Sequence, residues 1–211
     1  MTSRLTATTL AALLASVLAT PVAAERPTVR MLADFDDVRG PGALGSHNAV
    51  QRAPSTVALQ RVPEAAGQAL AVSGTSAPGG MAGVWLAFYD IGATRKQFVD
   101  ASRLDFLTFR IRGVRPPRLI VKVADGSWAA KGDGFEIGEL TRLLPQDVGA
   151  AWQQVTIPLG GLPLDRKALA ALMLVVDSPG EFSFVVDDVA LKRDPEDALP
   201  RRSVVAPRGV P

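Results

Sequence analysis

Alternation of apolar and polar residues is the dominant pattern of the chain, and it predicts β-strands. Leu107, Phe109 and Ile111 share one face of the run at 104–112, with Thr108, Arg110 and Arg112 on the other. Residues 118–125 repeat this pattern, with Leu119, Val121 and Val123 on one face and Lys122 on the other. Successive side chains of a strand point to opposite faces, so each run predicts a strand with one buried face. Residues 113–117 contain Gly and two Pro and predict a turn, which would make the two runs antiparallel neighbours with their basic residues on one shared face.

Several other segments also have strand character. They lie at residues 29–35, 56–61, 69–74, 84–89 and 155–159. Residues 172–176 are continuously apolar, which is typical of a strand buried on both faces. Near the end of the chain, Phe184 and Val186 have one parity and Val189 has the other, which predicts a β-bulge near Asp187 and Asp188.

Helical character is limited to short turns predicted at residues 139–144 and 165–171. Many short strands separated by Gly- and Pro-containing turns are typical of a sandwich or a barrel. The fold class predicted from the pattern is therefore all-β.

The two ends of the chain have a different composition from its middle. Residues 1–24 combine Arg4, an apolar run at 10–19 and small residues up to Ala24, which predicts a signal peptide cleaved after Ala24 and a periplasmic or secreted protein. The alternative is a retained membrane anchor, although the apolar run is shorter than the roughly 20 residues of a comfortable span. Residues 25–193 predict one domain, and residues 194–211, rich in Pro and Arg, predict a disordered tail.

Composition excludes several classes of function. The chain has no Cys, so it forms no disulfide and has no thiol nucleophile. Its formal net charge is +2 and its basic residues are spread along the sequence, whereas a nucleic-acid-binding protein usually concentrates them on one face. No segment after the first 24 residues is long and apolar enough for a membrane span.

Two acidic pairs lie at opposite ends of the predicted domain. Asp34 and Asp36 are adjacent to its first predicted strand, and Asp187 and Asp188 interrupt its last one. If these strands are neighbours, four carboxylates converge at one edge of a sheet. That much negative charge has to be solvated, protonated, paired with Arg or bound to a metal ion.

A series of short motifs resembles a known family. The motifs follow one another as Asp34–Asp37, Gly45, Gly79–Trp85, Leu104–Gly113, Trp152–Leu159 and Val186–Leu191. Their order resembles the galactose-binding-like β-jelly-roll modules, in particular the CBM11-like carbohydrate-binding modules and the related CIA30-type domain. The resemblance spans most of the chain after residue 24 and implies a β-sandwich of jelly-roll topology.

The resemblance also implies a structural calcium ion, because such modules commonly hold one where the first and last strands meet. Asp36 and Asp188 are the expected ligands, with Asp34 and Asp187 as alternates. Adjacent strand residues point to opposite faces, so both members of one pair are not expected to bind the same ion. The alternative is that these carboxylates are solvated or form salt bridges with Arg.

Aromatic residues are the candidates for sugar binding, since sugar rings stack on flat aromatic faces. Trp128 lies in a polar, Gly-containing stretch after a predicted strand, and its alternative role is to cap the rim of the sandwich. The residues expected to share a binding surface with it are Tyr89, Arg110, Arg112, Lys122 and Glu136. Trp85 and Trp152 lie within apolar strand patterns and are predicted to belong to the core.

No catalytic constellation stands out. His47 is the only His and lies in a Gly-containing stretch that predicts an ordinary loop. Glycoside hydrolysis needs two carboxylates about 5–9.5 Å apart. Acidic residues at 125, 133, 136 and 139 could supply such a pair, but nothing distinguishes any two of them.

The leading hypothesis is therefore a secreted, non-catalytic module that recognises a glycan on the surface of a jelly roll. The alternative is a periplasmic interaction or assembly factor of the same fold, with an envelope protein as its partner and no sugar binding. A hydrolase with an unusual acidic site is a third possibility, because jelly rolls also host enzymes.

Overall fold

The computed structural model describes residues 28–36, 47–65, 67–115, 117–197 and 199. Within these ranges the chain forms two antiparallel β-sheets, and a core of buried apolar side chains from both sheets lies between them. The all-β prediction and the β-sandwich implied by the resemblance are both confirmed. No helix in the described ranges has the length and apolar character that a membrane crossing requires.

The first sheet contains both the first and the last strand of the described chain. Its members are β1 (Val29–Ala33), β3 (Thr56–Glu64), β4 (Gly67–Ser76), β6 (Phe106–Arg115), β9 (Gln153–Pro158) and β11 (Gly180–Lys192). They are arranged in the order β3-β4-β11-β6-β9. One edge of the long β11 pairs first with β4 and then, from Val189 onward, with β1. The expected contact between the first and last strands is therefore confirmed.

The second sheet has five strands in the order β2-β5-β10-β7-β8. They are β2 (His47–Arg52), β5 (Met81–Ala87), β7 (Leu119–Asp125), β8 (Phe135–Glu139) and β10 (Leu169–Val176). A four-residue helix α1 (Gly126–Ala129) follows β7, and 3₁₀ turns occupy Leu140–Arg142 and Arg166–Ala168. The central β10 is buried along almost its whole length, as its continuously apolar sequence predicts.

The side chains that the alternating pattern predicts to be buried do lie in the core. Leu107, Phe109 and Ile111 of β6 are fully buried between the sheets, whereas Arg110 is turned to the outside. Val121 of β7 faces the same core from the other sheet.

The pairing predicted for these two strands is wrong. β6 lies between β11 and β9 in the first sheet, and β7 lies between β10 and β8 in the second. The connection between them crosses from one sheet to the other rather than closing a hairpin, and β6 continues through Arg115 into the predicted turn. The alternating pattern shows that each strand has one buried face. It does not show whether two consecutive strands form a hairpin in one sheet or belong to different sheets.

The predicted β-bulge in β11 is confirmed. Asp187 lies opposite Arg110, and the register then shifts so that Ala190 lies opposite Thr108. Asp188 has a φ of 51°, in the left-handed region that is uncommon for residues other than Gly. The shift turns Val189 and Leu191 into the same core as Val186.

Three local predictions differ from the structure. His47 lies in β2 rather than in a loop, since Leu86 of β5 provides a pairing partner. Glu139 ends β8, and only Leu140–Arg142 of the expected helical turn is helical. The turn predicted at 165–171 is shorter too, because β10 begins at Leu169.

The predicted signal peptide at residues 1–24 lies outside the described residues, as do Asp37 and Gly45. Of the predicted tail at residues 194–211, only 194–197 and 199 are described. Residues 194–197 form a turn in which the Asp194 backbone N–H donates to the Asp197 carboxylate. The boundaries proposed for the domain therefore stay predictions.

Candidate functional site

A row of side chains crosses the outer face of the second sheet. Asn48 of β2 lies opposite Trp85 of β5, and Trp85 lies opposite Met173 of β10. Met173 lies opposite Lys122 of β7, which lies opposite Glu136 of β8. Directly opposed residues of antiparallel strands share a face, so one row joins all five strands. The row is polar at both ends and apolar in the middle.

A second apolar cluster covers the middle of this face. Its buried members are Trp85, Ala87, Tyr89, Ala124, Ala129, Ala170, Ala171 and Met173. Phe98 packs over the cluster with its ring edge against Tyr89, at 5.3 Å between ring centroids. A Cβ on Gly126 would lie 2.7 Å from the Phe98 ring, so the absence of a side chain there lets the Phe98 loop approach α1. Two segments that are far apart in the sequence, the loop of Phe98 and α1, therefore cover part of this face.

Asp125 fixes α1 in place. Its Oδ1 accepts hydrogen bonds from the Ser127 backbone N–H at 2.8 Å, the Ser127 hydroxyl at 2.7 Å and the Trp128 backbone N–H at 3.0 Å. Its Oδ2 accepts from the Asp165 backbone N–H at 2.8 Å. Burial alone would raise the pKa of this carboxyl, but the hydrogen bonds outweigh burial and hold the pKa below its ordinary value.

An open groove of about 360 Å³ lies beside this outer apolar cluster. It is lined by Asn48, Ala49, Val50, Gln51, Trp85, Tyr89, Ile91, Ala129 and Gly132. The edge strand β2 forms one wall, and α1 with the turn that follows it forms the other. The groove thus combines an apolar floor with polar atoms at its margin, the usual composition of a small-molecule site.

Several polar atoms of the groove are available to a ligand. Among the described residues, the side chains of Asn48, Trp85 and Tyr89 have no hydrogen-bond partner. Gln51 uses its Oε1 to accept from the Val57 backbone N–H at 2.7 Å, which leaves its amide nitrogen free to donate. The floor can therefore donate hydrogen bonds through an indole and a phenol, and the wall can do so through two amides.

Lysine side chains rest on aromatic rings at the margin of this groove. The Lys96 Nζ lies 5.0 Å from the centre of the Tyr89 ring, and the Lys131 Nζ lies 4.8 Å from the centre of the Trp128 ring. Lys122 instead forms an ion pair with Asp133 at 3.0 Å. Burial would raise the pKa of the Asp133 carboxyl, but hydrogen bonds from Gly134 and Lys122 and the charge of Lys122 lower it overall.

The residues predicted to share a binding surface divide between two faces of the molecule. Tyr89, Lys122, Trp128 and Glu136 all belong to the second sheet or to the segments that follow its strands, and of these only Tyr89 lines the groove. Arg110 and Arg112 belong to the first sheet, so the prediction that all six share one surface is wrong. The residues are divided because the chain crosses from the first sheet to the second between β6 and β7.

The two other tryptophans also differ from expectation. Trp152 is half-buried outside the core, with the guanidinium groups of Arg110 and Arg112 at 4.9 Å and 5.1 Å from its ring centre. Its assignment to the core is therefore wrong. Trp85 is buried as predicted, but in the outer cluster rather than between the sheets.

The acidic residues at the two ends of the domain contact protein groups. Arg110 Nη2 lies 3.1 Å from Asp187 Oδ2, and Arg110 Nε lies 2.5 Å from Asp188 Oδ2. Asp36 Oδ1 accepts from the Gln68 backbone N–H at 2.5 Å, and Asp34 Oδ1 accepts from the Asp36 backbone N–H at 3.3 Å.

These contacts bear on the expected calcium ion. Within the described part of the chain, no group of three or more His, Cys, Asp or Glu side chains has a geometry that could hold a metal ion. A guanidinium occupies the position between Asp187 and Asp188, so the donor set does not form a ready calcium site. Calcium binding by Asp34, Asp36, Asp187 or Asp188 stays a prediction.

His47 lies on β2 next to the groove residue Asn48. Its ring meets Phe35 edge-on at 5.9 Å between centroids. Burial, and then the charge of Arg61, lower the pKa of the imidazole. The contact and the shift agree with the ordinary structural role that the sequence predicts for His47.

Sequence reasoning did not identify β2 as a wall of the site. Only His47 and Val50 are half-buried and the other four side chains are exposed, so no alternating apolar position marks the strand. Asn48 and Gln51 could be found only after the pairing of β2 with β5 was known.

Comparison with known proteins identifies the fold of the chain but no sequence family. No protein-family model matches the chain, and no curated protein matches it. Among solved structures, the chain is similar to a family 11 carbohydrate-binding module from Clostridium thermocellum, solved in complex with a β-1,3-1,4-mixed-linked tetrasaccharide. The sequence identity is 18%, the match covers 78% of this chain and 95% of that module, and the TM-score is 0.56.

Two further solved structures are similar. The family 30 carbohydrate-binding module of the Clostridium thermocellum cellulosomal cellulase Cel9D-Cel44B matches at 15% identity, over 81% of this chain and 99% of the module, with a TM-score of 0.55. An exo-β-agarase matches at 15% identity and a TM-score of 0.51, over 82% of this chain but only 26% of the enzyme. The chain therefore has the galactose-binding-like jelly-roll fold of these carbohydrate-binding modules, as the sequence resemblance implied.

Proposed function

We propose that the protein is a secreted, non-catalytic binding module that holds a carbohydrate in the groove of its second sheet. The observation that supports this most directly is the chemistry of the groove. It places the largely buried aromatic side chains of Trp85 and Tyr89 beside the exposed side-chain amides of Asn48 and Gln51. A sugar ring presents the matching pattern, since its C–H face is apolar and its hydroxyls are hydrogen-bond donors and acceptors.

Fold similarity supports the same proposal. The chain matches modules of two carbohydrate-binding families along almost their full length. Fold alone does not determine function, so the assignment depends on the groove. Secretion is proposed from the signal peptide predicted at residues 1–24.

The non-catalytic part of the proposal is supported by the residues that line the groove. Among those described, none is Asp or Glu. Two carboxylates flanking the scissile bond are the usual requirement of glycoside hydrolysis. The nearby Asp133 is paired with Lys122, and Asp125 accepts four hydrogen bonds, so neither is poised as a general acid.

Binding to polysaccharides tests the proposal. Affinity electrophoresis in gels containing single polysaccharides would identify a ligand, and isothermal titration with its oligosaccharides would give the affinity. We expect Asn48→Ala and Tyr89→Phe each to weaken binding about 2- to 10-fold, the effect of losing one net hydrogen bond. Both substitutions leave the apolar packing of the cluster in place.

A matched control comes from the opposite sheet. Ser73→Ala changes an exposed side chain of β4 and should leave binding unchanged. Trp128→Ala should weaken binding if the α1 wall contacts the ligand, and Arg110→Ala should not, because Arg110 lies on the other face. Unaltered affinity in both groove variants would exclude this groove as the site. Failure to bind any polysaccharide, with one protein co-purifying in stoichiometric amount, would support the assembly-factor alternative instead.

A further inference from the structure

We infer that the groove selects an acidic polysaccharide, with carboxylate or sulfate groups, over a neutral one. This inference rests on the proposed function and specifies the class of glycan. The observation behind it is the position of Lys96 and Lys131, which lie on the rings of Tyr89 and Trp128.

Neither lysine is paired with a carboxylate within the described part of the chain. Among the described residues, Lys96 and Lys131 form no ion pair and donate no side-chain hydrogen bond. The half-buried Lys122, in contrast, is paired with Asp133. Two unpaired ammonium groups beside one groove leave a local positive potential that an anionic ligand would satisfy.

The aromatic contacts also limit where these charges can be. A cation over a ring face is attracted by the ring quadrupole, by about 0.5–1 kcal/mol at exposed sites. Tyr89 lines the groove itself, and Lys131 directly precedes the groove residue Gly132. The two ammonium groups are therefore held near the groove margin, rather than distributed over the long reach of a free lysine side chain.

No acidic residue is among the described residues that line the groove. Asp90 follows Tyr89 and keeps its charge, and its Oδ1 accepts a hydrogen bond from the Gly92 backbone N–H at 2.8 Å, which directs the carboxylate into its own turn. Glu136 lies on β8, at the edge of the sheet opposite β2. The groove wall on β2 contributes neutral amides, so positive charge at the margin is balanced by no carboxylate in the lining.

Matched ligands that differ only in charge test the inference. Isothermal titration would compare hexagalacturonate with its methyl ester, and sulfated with unsulfated dextran oligosaccharides. We expect the acidic member of at least one pair to bind at least tenfold more tightly at low salt, and this preference to fall steeply between about 20 and 500 mM NaCl because salt screens exposed charges. The pair that shows the preference identifies the anionic group.

Variants of the two lysines locate the effect. Lys96→Gln and Lys131→Gln should each weaken acidic-ligand binding about three- to tenfold, and Lys96→Arg and Lys131→Arg should restore most of it. Arg142→Gln is the control, since it removes an equal charge from an exposed residue after β8. An equal loss in the control would show non-specific attraction to a basic protein and overturn the inference.

Different binding results would contradict this inference and the proposed function. If a mixed-linked β-1,3-1,4 tetrasaccharide or a methyl ester binds in the groove as tightly as the acidic ligands, acidic selection is excluded and carbohydrate binding stands. If the native protein binds none of these ligands and no polysaccharide in the gels, both proposals fail.

Discussion

The Nε atom of Arg110 lies 2.5 Å from Oδ2 of Asp188, across the junction between β6 and the bulge of β11. The N–H bond does not point along this line, so the contact is an ion pair rather than a hydrogen bond. The same guanidinium reaches Asp187, whose side chain is fully buried. Adjacent strand residues would normally point to opposite faces, but the left-handed φ of Asp188 turns both carboxylates towards one cation.

Removing the guanidinium should destabilise the fold. Arg110→Met keeps much of the side-chain volume but leaves two buried carboxylates without this cation. Breaking a buried ion pair costs about 3–5 kcal/mol, and the partial exposure of Arg110 reduces the expected loss to about 1–3 kcal/mol. Urea denaturation would measure it. Arg118→Met is the control, because Arg118 is more than half exposed in its ion pair with Glu139 and its loss should change stability far less.

Calcium should stabilise an Arg110→Gln variant more than the native protein. Without the guanidinium, no Arg110 cation competes with a divalent cation for the carboxylates of Asp187 and Asp188. At a calcium concentration 100 times the dissociation constant, the gain would be about 2.7 kcal/mol. Thermal melts of chelator-treated protein, with and without calcium, would measure the difference. An equally large calcium shift in the native protein would show that Arg110 does not compete with the ion.

Because of Asp125, the free energy of unfolding should decrease as the pH becomes acidic. The folded protein lowers the pKa of this carboxyl below its ordinary value of 3.8, so the ionised form stabilises the fold. That contribution is fully present above the unfolded pKa and is lost as the pH falls through the folded one. Asp125→Asn keeps a capping oxygen, but its NH2 group cannot accept from the Asp165 backbone N–H, so stability at pH 7 should fall by about 1–3 kcal/mol, the cost of leaving a buried donor unsatisfied. The native protein and the variant should converge in free energy of unfolding between about pH 5 and pH 2.

Close approach of β5 to β10 should depend on the absence of a side chain at Gly83. A Cβ there would lie 2.2 Å from the Leu174 carbonyl oxygen, so the strands would have to separate. We expect Gly83→Ala to cost about 1–3 kcal/mol, the range for overpacking a buried site. Gly160→Ala is the matched control, since no atom lies within 4 Å of its added Cβ. Equal stability of the two variants in urea would contradict this account.

The candidate site was only partly predictable. Of the residues that the sequence predicts for the binding surface, Tyr89 lines the groove and Trp128 belongs to the adjacent helix α1. Asn48 and Gln51 were missed, since exposed residues of an edge strand follow no apolar period. Trp152 was assigned to the core although it packs against two guanidinium groups outside it, and a run of apolar residues does not distinguish these environments.

The sequence by itself determined the strands and their buried faces, because alternation with a period of two is a local property of a half-buried strand. It also determined the bulge at Asp187 and Asp188, since the change of parity between Val186 and Val189 leaves no other way to bury both. Only the tertiary structure decided that β6 and β7 belong to different sheets, and hence that Arg110 and Lys122 lie on opposite faces. The choice of sheet depends on contacts between residues far apart in the chain, and no local pattern records them.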